Sequence, residues 1–246
     1  MCGRYSLATP AQNDLRARFA LGEELELRRR FNVAPGDDVV AVTTTKEGEP
    51  RGDLLRWGLV PFWAKDPKTG FRMINARAET VGEKPAFRDA LKTRRCLIVA
   101  DGFYEWRKDP AHPKARKQPF HVTRADGAPF AFAGLWAVWH GAGEDEVLRT
   151  CTIVTTEANA LLRDVHDRMP VILPDPGAEE AWLDHATPRE VVSDLLAPLP
   201  SAQTAKRPVG FAVNDAHHDA PDCFDDPPPD EPVAADPSAP DAPSLF

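Results

Sequence analysis

The stretch CLIVADGFYEWR, residues 96–107, decides the fold class of this 246-residue chain. It holds two strand candidates, Cys96–Ala100 and Phe103–Arg107, which are rich in β-branched and aromatic residues. The pair Asp101-Gly102 between them is typical of a turn. This stretch therefore predicts a chain that is built on short strands.

Seven further strand candidates flank this stretch, whereas only about four helices are predicted. The other strand candidates are 39–44, 54–59, 120–124, 130–139, 150–155, 170–173 and 208–213. The predicted helices span 9–21, 85–92, 179–185 and 188–196. Because these helices do not alternate regularly with the strands, the order disfavours a doubly wound parallel sheet.

We expect residues 1–218 to form a single α+β domain with a largely antiparallel, barrel-like β core and peripheral helices. Hydrophobic residues make up 42% of the chain, which is ample for such a core. Residues 219–246 are acidic and rich in proline, and they hold too few large apolar side chains to offset the entropy lost on ordering. We therefore predict a disordered C-terminal tail.

Composition also limits the location and the partners. No run approaches roughly 18 apolar residues and no secretory signal is visible, so we expect no membrane contact and a cytoplasmic protein, nucleoid-associated in a bacterium. Cysteines stand at positions 2, 96, 151 and 223 and form no C-x-x-C pair, which disfavours a zinc ribbon or a disulfide framework. The expectation is a monomer in a reducing compartment.

The net charge of −8 is unevenly distributed. Nine acidic residues and no Lys or Arg follow from Asp215 onward, so residues 1–214 carry 30 basic and 29 acidic residues. Residues 51–117 hold 16 Lys and Arg against 8 Asp and Glu. This local excess indicates a surface that faces phosphates, although a solvated face with many salt bridges would give the same count.

Cys2 follows the first methionine, so removal of Met1 would leave a cysteine with a free α-amine. Such an amine has an ordinary pKa of about 7.7 to 8.0 and is substantially neutral at cellular pH, unlike a lysine amine. A terminal cysteine can attack an aldehyde twice, amine first and thiol second, and so close a five-membered thiazolidine. The alternative is a cysteine that falls at position 2 by coincidence, because a thiol needs an activating environment to react.

Three more polar side chains stand where an ordinary core would not place them: Asn75, Glu105 and His166. Glu105 is flanked by aromatic residues, and partial desolvation there would raise its pKa towards the range of a general acid. The alternative is a strand residue that points into water. Asn75 could orient an amine or stabilise a turn, and His166 could be catalytic or structural.

Arginines accompany these polar groups. Arg4, Arg77 and Arg168 each stand within two residues of one of them, and guanidinium groups suit bidentate contact with phosphate. Phe62 and Trp63 could stack on bases, although aromatics at such spacing are more often part of a core.

A possible metal site lies near the C-terminus. Residues 215–219 read DAHHD and are followed by Asp222 and Cys223, which superficially resemble metal ligands. Because they border the tail and lack a fixed ligand spacing, we expect no metal and no cofactor.

Six motifs in order, MCGRY, FNVAPG, WGLVPFWA, INARAET, ADGFYEW and HDRMPVIL, resemble those of the SRAP (SOS response-associated peptidase) family of abasic-site-processing proteins. The resemblance covers Cys2 to about Val213. One departure is that Ala64 follows Trp63, where family members often have a second bulky aromatic. Phe62 could compensate for it.

The resemblance implies a protein that recognises an abasic site in single-stranded DNA and becomes covalently attached to it. It implies catalytic roles for Cys2, Asn75, Glu105 and His166. It implies phosphate contacts for Arg4, Arg77 and Arg168, and a role for Trp63 in keeping the strand unpaired. The expected product is a thiazolidine that Cys2 forms with the ring-opened sugar aldehyde and that protects the lesion in the DNA damage response.

Two alternatives remain open at this point. One is a cysteine autopeptidase, or N-terminal-nucleophile hydrolase, in which Cys2 attacks a peptide carbonyl. The other is a non-catalytic single-stranded-DNA-binding module, which would bind intact and abasic strands equally and would not depend on Cys2.

Overall fold

The computed structural model describes residues 2–9, 12–112, 114–141 and 146–228. Twelve strands and four α-helices lie within this part of the chain. The strands are β1 (Tyr5–Leu7), β2 (Arg30–Val33), β3 (Asp38–Thr44), β4 (Pro50–Trp57), β5 (Asn75–Arg77), β6 (Arg95–Ala100), β7 (Gly102–Arg107), β8 (Gln118–Arg124), β9 (Phe130–His140), β10 (Val147–Glu157), β11 (Arg168–Pro170) and β12 (Thr204–Pro208). The helices are α1 (Gln12–Phe19), α2 (Arg88–Thr93), α3 (Pro176–Leu183) and α4 (Arg189–Asp194).

Five strands close into a barrel in the order β4, β3, β6, β9 and β10. The ring closes because β10 pairs with β9 on one side and with β4 on the other. Among the described strands, the only parallel pairs are those that β10 makes with β4 and with β5. The predicted α+β fold with a largely antiparallel, barrel-like core is confirmed.

A second sheet, in the order β12, β8, β7, β1 and β2, packs against the barrel. Tyr5 of β1 and Phe103 of β7 meet Phe132 of β9, with ring centroids 5.7 and 6.2 Å apart and edge-to-face geometry. Such aromatic pairs contribute about 0.5–1.5 kcal/mol beyond the area they bury. Because β1 begins three residues after Cys2, the second sheet holds the N-terminal segment against the barrel.

The helices lie around this β core. All residues of β6 are buried, and α3 covers this strand. Trp182 of α3 is fully buried, and its Nε1 donates to the carbonyl oxygen of Cys96, 3.0 Å away. The indole thus gains apolar contact and satisfies its single donor. Within the described residues, none of the helices has both the length and the apolar character needed to cross a bilayer.

Most of the predicted strands are present with shifted ends, but two predictions were wrong in detail. The strand predicted at 170–173 is β11, which ends at Pro170. Residues 208–213 were predicted to form a strand. They contain only the last residue of β12, and a 3₁₀ helix follows at Phe211–Asn214. Three short strands, β1, β2 and β5, were absent from the prediction.

The predicted start of the disordered tail at residue 219 was too early. Asp219 accepts hydrogen bonds from the backbone N–H groups of Phe31 and Asn32, and Cys223 is fully buried. The ring of Phe224 packs edge-to-face on that of Phe31, with centroids 5.3 Å apart. These contacts order the chain through residue 228, and the rest of the predicted tail, residues 229–246, lies outside the described residues.

A close backbone crossing holds the loop that carries Trp63. Gly58 has a φ of +129°, and a Cβ there would lie 2.9 Å from the carbonyl oxygen of Gly70. A Cβ on Gly70 would in turn press on the carbonyl oxygen of Gly58. The two glycines therefore let the start and the end of this loop pass each other.

We expect Gly70→Ala to lower the free energy of unfolding by about 1–3 kcal/mol, because the added methyl group overpacks this crossing. Urea unfolding measures the change. Gly82→Ala is the matched control, since a Cβ there meets its nearest atoms only at 3.7 Å, and its effect should stay within about 0.5 kcal/mol. Equal midpoints for the two variants would contradict the close crossing.

Candidate active site

The N-terminal segment lies alongside the strand that carries Glu105. Tyr5 of β1 is paired with Phe103 of β7, and the carbonyl oxygen of Arg4 accepts a hydrogen bond from the backbone N–H of Tyr104. The pairing with β7 thus continues into the residues that precede β1. Cys2 is therefore held close to Glu105, whose charge acts on the pKa of the Cys2 thiol.

Asn75 reaches the same segment from the barrel. It opens β5, which pairs in parallel with β10 at Ile153, and its Nδ2 donates to the carbonyl oxygen of Cys2, 2.8 Å away. The preceding carbonyl, that of Ile74, accepts from Nε1 of the buried Trp57 at 2.9 Å. Asn75 Oδ1 is buried and has no hydrogen-bond partner among the described residues. This amide therefore positions Cys2 and keeps one acceptor available.

The Cys2 thiol is fully buried. Burial raises its pKa well above the ordinary value, and the nearby charge of Glu105 raises it further. Its Sγ lies 3.8 Å from the carbonyl oxygen of Arg4, to which it donates. The thiol is therefore protonated at neutral pH until a base removes its proton.

Glu105 is buried on β7, with 4% of its surface exposed. Loss of hydration raises the pKa of its carboxyl group, and the nearby His166 opposes this shift. The alternative of a strand residue that points into water is wrong for Glu105. Its carboxyl group stays protonated to a higher pH than usual, as a general acid requires.

His166 lies half-buried just before β11. Its Nδ1 is 3.0 Å from the backbone nitrogen of Arg168 and 2.7 Å from Oδ1 of Asp167. A neutral ring that carries its proton on Nε2 accepts from the Arg168 N–H, whereas a protonated ring donates from Nδ1 to Asp167. His166 therefore has a partner for each protonation state, which suits a group that takes up and releases a proton.

A cleft of about 790 Å³ opens beside His166, and we call it the His166 cleft. Its lining residues are Arg77, Glu157, Ala158, Arg163, His166, Asp167 and Arg168. Two of the predicted phosphate-binding arginines, Arg77 and Arg168, therefore meet there. Arg163 is a further cation in the cleft that sequence reasoning missed, because it matches no family motif.

The predicted DNA-binding arginines differ in how their guanidinium groups are engaged. Arg77 is exposed, whereas Arg168 makes a bidentate ion pair with Glu79 at 2.5 and 3.0 Å and also donates to the Thr155 carbonyl oxygen at 2.6 Å. Arg4 donates to the Val213 carbonyl oxygen at 3.2 Å, and burial lowers the pKa of its guanidinium. Arg77 is thus the most accessible of the three to a phosphate.

Trp63 does not line the His166 cleft. Trp63 and Phe62 are 51% and 72% exposed, so neither belongs to the core. They border a separate, smaller pocket near α2 and β9. The structure thus groups Cys2, Asn75 and Glu105 around the N-terminal segment and leaves Trp63 outside that group.

A buried network fixes the start of the second sheet. The Ser6 hydroxyl donates to Asp101 Oδ1 at 2.6 Å and accepts from His121 Nε2 at 3.0 Å, and Asp101 Oδ2 accepts from the Ala8 N–H. Burial lowers the pKa of His121 to about 3, so its ring is neutral. Ser6 is fully buried. The Asp101 carboxylate accepts from Ser6, whereas in a triad it would accept from the imidazole. This trio therefore holds β1 in register and does not form a hydrolase triad.

Three of the possible metal ligands near the C-terminus, His218, Asp222 and Cys223, lie close together. His218 Nε2 lies 2.7 Å from Asp222 Oδ1, and the Cys223 thiol donates to the His218 carbonyl oxygen at 3.7 Å. Their candidate ligand atoms lie within 4.8 Å of one another. The expectation that no metal binds stays a prediction.

Relatives of known name match nearly the whole chain. Abasic site processing protein YoqW of Bacillus subtilis is 40% identical over 229 residues, which cover 92% of this chain and 99% of that protein. Abasic site processing protein YedK of Escherichia coli is 31% identical and covers 87% of this chain and 94% of its own.

Solved structures share the fold. A crystal structure of a protein from Bacteroides thetaiotaomicron superposes with a TM-score of 0.79 at 24% identity, over 92% of this chain and 99% of its own. A phage-related protein from Bordetella bronchiseptica gives a TM-score of 0.68 at 32% identity, over 88% of this chain and 99% of its own. The family model described as SOS response associated peptidase (SRAP) matches residues 1–216. With its barrel, its second sheet and its N-terminal cysteine segment, the chain belongs to the SRAP family.

Proposed function

We propose that this protein processes abasic sites in single-stranded DNA by forming a thiazolidine crosslink through Cys2, once Met1 has been removed. The observation that carries the proposal is the hydrogen bond from Asn75 Nδ2 to the Cys2 carbonyl oxygen, which holds residue 2 beside the buried Glu105. Relatives that are named for abasic-site processing support the substrate class. Met1 itself lies outside the described residues.

The chemistry needs two additions and the loss of one water. The α-amine of Cys2 adds to the aldehyde of the ring-opened sugar, and the resulting carbinolamine loses its hydroxyl as water to give a Schiff base. The Cys2 sulfur then bonds to the same carbon, the C=N double bond becomes single, and the thiol proton passes to the nitrogen. The product is a five-membered ring.

Each neighbouring group has a role in these steps. Glu105, which is protonated to an unusually high pH, donates the proton that lets the carbinolamine hydroxyl leave. His166 exchanges a proton with the reacting groups and has a partner in both of its protonation states. Asn75 orients the residue that carries the amine.

The state of the thiol favours attack by the amine first. Burial keeps the pKa of the Cys2 thiol high, so thiolate is scarce at neutral pH, whereas a terminal amine with a pKa of about 7.7 to 8.0 has a large neutral fraction. A cysteine peptidase needs the thiolate as its first nucleophile. The site therefore supports crosslinking better than the autopeptidase alternative.

Incubation with a single-stranded oligonucleotide that carries one abasic site tests the proposal. We expect a protein–DNA adduct that survives boiling in denaturant, and none with the same strand lacking the lesion. A strand whose abasic aldehyde has first been reduced to an alcohol should also give no adduct. Equal retention of intact and abasic strands, with no covalent product, would favour the non-catalytic binding module.

Arg77 is expected to contact one backbone phosphate. Arg77→Gln should weaken binding of single-stranded DNA of any sequence and lower the slope of log Kd against log salt concentration by about 0.7. Fluorescence anisotropy over a series of salt concentrations measures this slope. Arg56→Gln is the matched control, because Arg56 is also an exposed arginine but lies on β4, outside the His166 cleft. An unchanged slope for Arg77→Gln would rule out this contact.

A further inference from the structure

A small pocket lies behind the exposed aromatic pair, and we call it the Trp63 pocket. Its volume is about 120 Å³. Its lining includes Phe62, Trp63, Asp89 and Arg94. The two aromatic rings form one side, and α2 with the segment before it forms the other. The pocket shares no lining residue with the His166 cleft.

Hydrogen bonds to the barrel fix both sides of this pocket. On the aromatic side, Nε1 of the buried Trp139 donates to the carbonyl oxygen of Ala64 at 2.7 Å. On the other side, the backbone N–H of Trp136 donates to the carbonyl oxygen of Arg94 at 2.9 Å. Because Trp136 and Trp139 both belong to β9, the two walls are held by one rigid strand, and the pocket is preformed.

The aromatic wall is exposed to an unusual degree. Phe62 is 72% and Trp63 51% exposed, and the two are adjacent in the chain. Single exposed apolar side chains are common, but a neighbouring pair at the mouth of a pocket offers a stacking surface for a flat ligand. Stacking of bases on aromatic side chains is a common means of binding single strands.

The polar groups of the pocket indicate what the flat ligand must offer. Arg94 Nε is buried and has no hydrogen-bond partner among the described residues. A buried donor without an acceptor is costly, so this atom indicates a ligand that brings one. Asp89 adds a half-exposed carboxylate, which lies 3.8 Å from Arg88 Nε and can accept further hydrogen bonds. The ligand therefore needs acceptors for Arg94 and donors for Asp89.

We propose that the Trp63 pocket binds an unpaired guanine of the substrate strand. Guanine presents two acceptors, O6 and N7, which suit an arginine, and two donors, N1–H and the N2 amino group, which suit a carboxylate. Thymine has one ring N–H donor and no amino group, whereas cytosine and adenine each have an amino group but no ring N–H beside it. The proposal rests on the proposed function in that single-stranded DNA is the ligand, and it adds a preferred sequence context to the lesion.

Binding of a set of thymine strands tests this proposal. Each strand carries one abasic site and one guanine, which is placed at a different position on either side of the lesion. The Kd is measured by fluorescence anisotropy with the Cys2→Ala protein, so that no covalent product forms. We expect guanine at one position to tighten binding about fivefold or more over thymine, and over adenine or cytosine at that position.

Variants of the two polar residues complete the test. Asp89→Asn and Arg94→Gln should each reduce the guanine preference to less than about twofold, whereas Glu47→Gln, an exposed carboxylate in the β3–β4 turn, should keep it. Thermal unfolding checks that each variant is folded. No preference at any position, a preference for another base, or a guanine preference that persists in both variants would overturn the proposal.

The same strands separate this proposal from the proposed function. If the wild-type protein crosslinks every abasic strand but shows no base preference in binding, the guanine pocket is wrong and the crosslinking function stands. If guanine tightens binding but no strand is crosslinked, the pocket stands and the crosslinking function is wrong.

Discussion

Cys2→Ala should lower the yield of heat-stable adduct on an abasic strand by about 10³-fold or more, because both reacting atoms belong to residue 2 and alanine keeps only the amine. Cys2→Ser should separate the two steps. Its amine can still form the Schiff base, which borohydride reduces to a stable amine, but its hydroxyl does not close the sulfur-containing ring. Denaturing gels with and without borohydride measure both products.

Cys96→Ala is the matched control for these variants. Cys96 is as fully buried as Cys2, but it lies inside the barrel on β6. Its loss should leave the adduct yield within about twofold of the wild type once folding has been checked. An adduct of undiminished yield and heat stability with Cys2→Ala would rule out Cys2 as the attachment point.

Glu105→Gln should slow adduct formation about 10²-fold or more, because glutamine has the shape of the protonated acid but cannot donate its proton. The rate of adduct formation by the wild type should decline as pH rises through the raised pKa of Glu105. This decline should be absent in the variant. Single-turnover rates between pH 5 and 9 measure both effects. A rate profile equal to that of the wild type would remove Glu105 from the mechanism.

The activity of Glu105→Gln should fall, but its stability should not. Because the folded-state pKa of Glu105 is raised, its contribution to the free energy of unfolding is most favourable at low pH and is lost as pH rises through that pKa. Glu105→Gln removes the buried charge, so its Tm at pH 8 should equal or exceed that of the wild type. A variant that loses activity without losing stability shows that the burial of Glu105 serves the chemistry.

The sequence predicted the barrel well because its strands are marked by their own residues. The runs at 96–100 and 130–139 are almost continuously apolar, which is typical of strands buried on both faces. By contrast, β1 and β5 have three residues each and carry polar side chains. They are strands only because β7 and β10 offer them backbone partners, and such long-range pairing leaves no local signal.

The sequence proposed members for the candidate site but could not specify the contacts between them. The motifs pointed to Asn75, yet only the fold shows its amide donating to the Cys2 carbonyl oxygen. Alternation along the strand favoured an exposed Glu105, but β7 is covered on both faces over Gly102–Glu105. The pairing of Arg168 with Glu79 joins residues 89 positions apart, and spacing does not predict it.

Crosslinking through Cys2 is tested most directly by the intact mass of the wild-type protein before and after exposure to a single-stranded oligonucleotide with one abasic site. Before exposure, we expect the mass of the chain without Met1. After exposure, we expect the summed masses of that chain and the oligonucleotide minus one water, with peptide mapping that places the modification on Cys2. A chain that lacks Met1 and gains no mass, or an adduct attached to any other residue, would contradict crosslinking through Cys2.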